Sequence, residues 1–128
     1  MSQINARQIR GGIGNGGSSG TSAGPSETVS FSYGSSSPIV LQTVTEGRLV
    51  YQVIIVITVP FDDVAAYLEF GITANPELIF AEGDVSVVEI SQYVNDNVTI
   101  IPNDDYLIAT ITPGNSTQGA GKIYCWTV

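Results

Sequence analysis

The sequence predicts an all-β protein, a single antiparallel β-sandwich or jelly-roll domain preceded by an extended N-terminal arm. Three observations predict it. The peptide Met1–Arg10 runs into Gly11–Gly24, where seven of fourteen residues are glycine and the rest mostly small or polar. From Thr28 onward the composition changes to Val, Ile, Tyr, Phe and Thr broken by turn formers, the composition of strands. The apolar runs return at about ten-residue spacing without a helical period, which is the cadence of a sandwich. The chain therefore divides into an arm and tether over residues 1–26 and a knob over residues 27–128.

Each element has its own justification. Thr28–Tyr33 alternates, with Val29, Phe31 and Tyr33 on one face, and Gly34–Pro38 turns the chain into a second strand, Ile39–Thr45. Glu46–Gly47 reads as a tight hairpin leading into Arg48–Val59, the longest strand. One face of that strand carries Leu49, Tyr51, Val53, Ile55, Ile57 and Val59, and the other Val50, Gln52, Ile54, Val56 and Thr58. Its middle is apolar on both sides, as in a strand covered by a core on one face and by a neighbouring subunit on the other. Val50, Gln52, Ile54 and Val56 are accordingly the candidate self-association face.

Pro60 ends this strand for want of a backbone donor, and Phe61–Asp63 turns into Ala66–Ile72 with Leu68, Phe70 and Ile72 inward. A helix over Asp63–Phe70 is the competing reading. Ala74–Glu77 reads as a turn before a short Leu78–Ala81 strand, and Glu82–Asp84 as a turn into a Val85–Ile90 strand. Asn95–Asn97 then turns into Val98–Ile101, Pro102–Asp105 precedes Tyr106–Thr112, Pro113–Gly119 is a loop, and Ala120–Val128 closes the chain. No internal repeat is evident.

Charge separates the two parts. The arm and tether hold Arg7 and Arg10 with no acid, a charge of +2, whereas all twelve acids lie in the knob against Arg48 and Lys122, a charge of −10. An acidic knob repels phosphate backbones, which argues against nucleic acid as a partner. The basic arm suits an acidic groove on a partner. Charged residues make up 12% of the chain, about half the usual share, so its surface is rich in neutral polar groups or partly covered. The N-terminus lacks the apolar core of a signal peptide, and the Val53–Val59 run is too short to cross a bilayer as a helix. The expectation is a chain made in a cytoplasm, with no membrane insertion.

Little in the sequence points to chemistry, and the expectation is that the chain is not an enzyme and has no catalytic residue, cofactor or metal. There is no histidine, which removes Ser–His and Cys–His pairs and every His-containing zinc site. Cys125, the single cysteine, sits between Tyr124 and Trp126 in the closing strand and reads as a small packed residue. Asp62, Asp63, Asp84, Asp96, Asp104 and Asp105 all fall in turns, where aspartate caps local backbone; a shared calcium ion is the alternative, without the alternating spacing of a calcium loop. Asn97–Thr99 and Asn115–Thr117 match the glycosylation sequon, a pattern that polar loops produce often. The glycine-rich stretch lacks the Gly-Lys-Ser/Thr ending of a phosphate loop. The tyrosines and Trp126 read as amphipathic core, with an exposed sugar-binding face as the alternative.

The motifs also carry a family resemblance. Val56–Ile72, with Val-Pro-Phe-Asp-Asp at Val59–Asp63, Phe70-Gly71-Ile72 and then Asn75-Pro76, resembles small β-domains of tailed-bacteriophage virion proteins. In those domains an apolar strand ends in a Pro-Phe-Asp-Gly type turn; Asp63 stands here where glycine is usual, so another turn type is expected. Gly119–Tyr124 is similar to their final strand, and Ile4–Arg10 to the opening residues by which phage fibre and appendage proteins dock on the particle. The resemblance implies a virion component, commonly a homotrimer. Ile4, Asn5, Arg7, Gln8, Ile9 and Arg10 would form the docking arm, and a tail adaptor or the major capsid protein would be its partner. A short tail fibre that touches a host surface glycan is the leading expectation and a capsid decoration protein the alternative. A free carbohydrate-binding module and a small carboxylate hydrolase stand further off.

Overall fold

The computed structural model describes residues 6–8 and 24–128. The chain forms two antiparallel sheets packed face to face, in agreement with the all-β sandwich expected. Among the described residues ten strands follow in order: β1 (Ala6–Gln8), β2 (Glu27–Ser32), β3 (Ile39–Val44), β4 (Leu49–Val59), β5 (Tyr67–Ile72), β6 (Asn75–Phe80), β7 (Ser91–Asn95), β8 (Thr99–Ile100), β9 (Asp105–Thr112) and β10 (Ala120–Thr127). The first sheet has the order β1-β7-β4-β10-β2, with β8 also paired to β4; the second has the order β3-β9-β5-β6.

Alternation decides what is buried. Val53, Ile55 and Ile57 of β4 and Ile123 and Cys125 of β10 face Leu68, Phe70 and Ile72 of β5 and Leu107 and Ala109 of β9, all at most 1% exposed. Phe61, Val85, Val87 and Ile101 close the core from loops. Burying such side chains contributes about 1.5–3 kcal/mol each, the main term opposing chain entropy. Phe31 and Phe61 stack at 6.5 Å with their planes tilted by 30°.

Several elements differ from the sequence reading. Glu46–Gly47 is a tight turn, with the Arg48 N–H donating to the Thr45 carbonyl at 3.1 Å, but β3 and β4 lie in different sheets, so it is a corner and not a hairpin. Val85–Ile90 is not a strand. Val85 and Val87 plug the core from an irregular loop, and the Val87 carbonyl accepts the Phe61 N–H at 2.9 Å. The strand is Ser91–Asn95, whose buried Ser91 and Asn95 obscure its alternation; the Asn95 amide donates to the Ile79 carbonyl at 2.8 Å. The expected Ala74–Glu77 turn falls earlier, at Thr73–Ala74, so Asn75 and Pro76 already belong to β6. As an outermost strand, β6 tolerates a proline. Asp63–Phe70 holds no helix; a turn at Val64–Ala65 leads into β5.

One correction concerns a candidate site. A register shift between β4 and β10 pairs Trp126 with Gln52 but Thr127 with Val50, so one extra residue of β4, Tyr51, is bulged. Val50 therefore turns inward at 2% exposure and joins the core, while Tyr51 turns out. Further shifts lie in β3 between Val40 and Gln42, in β10 between Ala120 and Gly121, and in β5 between Phe70 and Ile72.

Candidate functional site

The surfaces of this molecule are more informative than its clefts. The outer face of the first sheet centres on β4 and β10, where Tyr124 pairs with Ile54, Trp126 with Gln52 and Lys122 with Val56. On the other flank Ile54 pairs with Val94 and Val56 with Gln92. Because Ile55, Ile123 and Cys125 face the core, alternation places Ile54, Val56, Tyr124 and Trp126 outward together. Ile54 and Val94 are nonetheless buried, at 6% and 1%, while Gln52 and Val56 are half-buried. Three of the four predicted self-association residues thus share one outer face; Val50 does not.

Of the predicted docking arm, Arg7 and Gln8 lie in β1, which extends the same sheet: Ala6 pairs with Asn95, Arg7 with Val94 and Gln8 with Tyr93. Ile4, Asn5, Ile9 and Arg10 lie outside the described residues, as does most of the tether. The most exposed apolar side chains sit at the two ends of the sandwich, where sequence reasoning did not look. Val64, 91% exposed, lines a groove of about 410 Å³ with Tyr67, Glu82, Val85 and Val88, and Ile90, 70% exposed, immediately precedes β7. Ile100 and Val98, 64% and 60% exposed, lie at the other end. An apolar residue inside a turn was the available signal for Val64.

The turn aspartates act as caps. Asp62 accepts the Thr117 N–H at 2.7 Å and its hydroxyl at 2.6 Å; Asp63 accepts the N–H groups of Asn115 at 2.6 Å and Ala65 at 2.9 Å. These bonds hold both carboxyls below the usual aspartate range, the Thr117 hydroxyl leading for Asp62 and the Asn115 N–H for Asp63. Asp105 accepts from Thr73 and Ala74, both at 3.1 Å, and from Tyr106, which leads in lowering its pKa. Asp104 accepts the Glu46 N–H and Asp84 the Ala81 N–H. Asp62–Asp63 follow the end of β4 whereas Asp104 caps the turn before its start, so the length of the strand separates these two groups.

The acids that do converge are glutamates, which sequence reasoning missed. Carboxylate oxygens of Glu69 on β5, Glu77 on β6 and Glu82 in the following turn lie within 4.8 Å of one another. Partial burial, a hydrogen bond with Glu77 and the charges of Glu77 and Glu82 push the Glu69 carboxyl up to about 7. As pH falls through about 7 Glu69 therefore takes up a proton, which its hydrogen bond with Glu77 shares. Three carboxylates supply oxygen donors of the kind a hard divalent cation takes, fewer than the roughly six to eight that calcium needs. The Cys125 thiol is fully buried and pushed up to about 12 by burial and then by Glu27, so it is protonated and shielded.

The chain matches no family model and no curated protein. Among solved structures it resembles a chain described as the cyanophage Pam1 capsid asymmetric unit, with a TM-score of 0.54 and 12% identity over 87% of this chain and 90% of that one. The two share a fold. Since each covers nearly all of the other, the likeness extends over the whole sandwich and is not confined to a few strands.

Proposed function

We propose that the chain is a structural protein of a bacteriophage virion, in which the sandwich is a self-associating knob, most simply a homotrimer, and residues 1–10 anchor it to the particle. The observation that carries this reading is the near-complete mutual coverage with a cyanophage capsid chain, joined to the virion-like motifs at Val59–Asp63 and Gly119–Tyr124. One place for it is the capsid, as a decoration protein that clamps coat subunits. The fibre-like Ile4–Arg10 opening favours a short tail fibre contacting a host surface glycan.

The test uses particles of a phage that carries this coding sequence. The chain should be present in purified particles, and labelled antibody should mark capsid faces if it decorates the coat and the tail if it is a fibre. Deleting residues 1–10 should abolish incorporation. Absence from particles would overturn the reading, and normal incorporation of the deleted form would overturn the anchoring role.

A further inference from the structure

The two ends of the tether are fixed on opposite edges of one sheet. β1 occupies the β7 edge and β2 the β10 edge, in the order β1-β7-β4-β10-β2. Four steps between strands separate them, about 19 Å at the usual strand spacing. Residues 9–26 join them and, extended, reach about 60 Å. The link is some three times longer than its own sheet requires, and half of its central stretch is glycine.

The bond it serves is small and impersonal. β1 is three residues long, and its register with β7 is a backbone ladder that an arm from any copy would form equally well. Residues Ser91–Asn95 pair on their other side with β4, so β7 has one free edge and β1 fills it. Through a link of this length a chain offers its own arm at an effective concentration on the order of millimolar. Knobs packed side by side offer their neighbours' arms at comparable concentration. Attraction between the +2 arm and a −10 knob likewise does not distinguish self from neighbour.

We infer that Ala6–Gln8 of one copy completes the β7 edge of a second copy, so that arms are exchanged between knobs. Passed in one direction around a trimer, the exchange is a heterologous, head-to-tail contact, and the threefold rotation closes it into a ring. The inference rests on the self-association proposed above, and not on the virion.

Full-length Arg7→Cys and Val94→Cys chains, each at one position of a directly opposed pair, test it by disulfide formation, since such pairs have the Cα separation that a disulfide needs. Mixed, unfolded, refolded together and oxidised, they should give a covalent heterodimer identified by intact mass, which neither chain gives alone. The Arg7→Cys/Val94→Cys double variant should give covalent oligomers. Where Val94→Cys impairs folding, judged by circular dichroism, Gln8→Cys with Tyr93→Cys replaces the pair. A double variant that oxidises fully yet stays a single covalent chain, with no heterodimer in the mixture, overturns the exchange. If native mass spectrometry still finds an oligomer, self-association survives; if it finds only monomer, both fail.

Discussion

Replacing Gly119 by alanine should be among the most damaging single-methyl changes in the knob. Its φ is +146°, and a Cβ there would lie 2.5 Å from Cδ1 and Cγ of Phe61 and 2.7 Å from Cδ2. Phe61 is 2% exposed and stacked on Phe31, so its ring has little room to retreat. Two costs add. Holding an L-residue in such a conformation costs about 1–3 kcal/mol. Overpacking against a fixed ring costs about 1–3 kcal/mol more. At about 4–8 °C per kcal/mol for a domain of this size, Tm should fall by at least ~8 °C. Phe61→Ala alone should cost about 3–5 kcal/mol through its cavity. In the double variant the methyl has no ring to meet, so the summed cost should shrink by the overpacking share, about 1–3 kcal/mol, while the backbone share remains. Urea denaturation at fixed chain concentration, followed by Trp126 fluorescence with m-values compared, measures all four corners of the cycle. Additivity to within about 0.5 kcal/mol would refute the placement of Phe61 over Gly119.

Three further predictions follow from charge and packing. The Glu69 carboxyl, raised from 4.5 to about 7 in the folded chain, makes the native state hold a proton that the unfolded chain releases, so its contribution is complete below about 4.5 and is lost as pH rises toward 7. Glu69→Gln should flatten that part of the curve of urea midpoint against pH; an unchanged slope would contradict the proton sharing. For Asp62 and Asp63, whose carboxyls are lowered, the stabilisation is present above the ordinary aspartate range and lost as pH falls through their folded values. Asp62→Ala and Asp63→Ala should each shallow the acid limb and speed protease cleavage within residues 113–119, and equal cleavage rates would show that these bonds do not hold the loop. Val56→Lys sets a second ammonium opposite Lys122 on the outer face; native mass spectrometry should then show monomer, and an intact oligomer would exclude this face from the interface.

The strands that could be read correctly are those whose alternation is set by the core. Leu68, Phe70 and Ile72 were legible because every second residue of β5 is apolar and meets the same interior. β7 was not, because Ser91 and Asn95 point inward as polar groups, Ser91 satisfied by the Glu89 carbonyl in the preceding loop and Asn95 by the distant Ile79 carbonyl, which alternation of apolar residues does not reveal. The Thr73–Ala74 turn is fixed by Asp105 from another strand, and the glutamate triple exists only through the β5–β6 hairpin and the turn after it. Most of the candidate association face was visible as the two-sided apolar character of β4. Its boundary at Val50 was not, because a bulge inverts inside and outside without leaving a mark in composition.

Pro76 and the irregularity in β3 have a consequence for crowding. β6 and β3 are the outermost strands of the second sheet; one contains a residue that cannot donate a ladder bond, and the other shifts register between Val40 and Gln42. Neither presents a long, regular row of amides and carbonyls to a neighbouring molecule. Open-ended stacking into fibrils is thus obstructed along the second sheet, and strand addition is left to the first, whose outermost strands are the three-residue β1 and the six-residue β2. Copies of the chain brought close together therefore meet no long, regular edge on the second sheet.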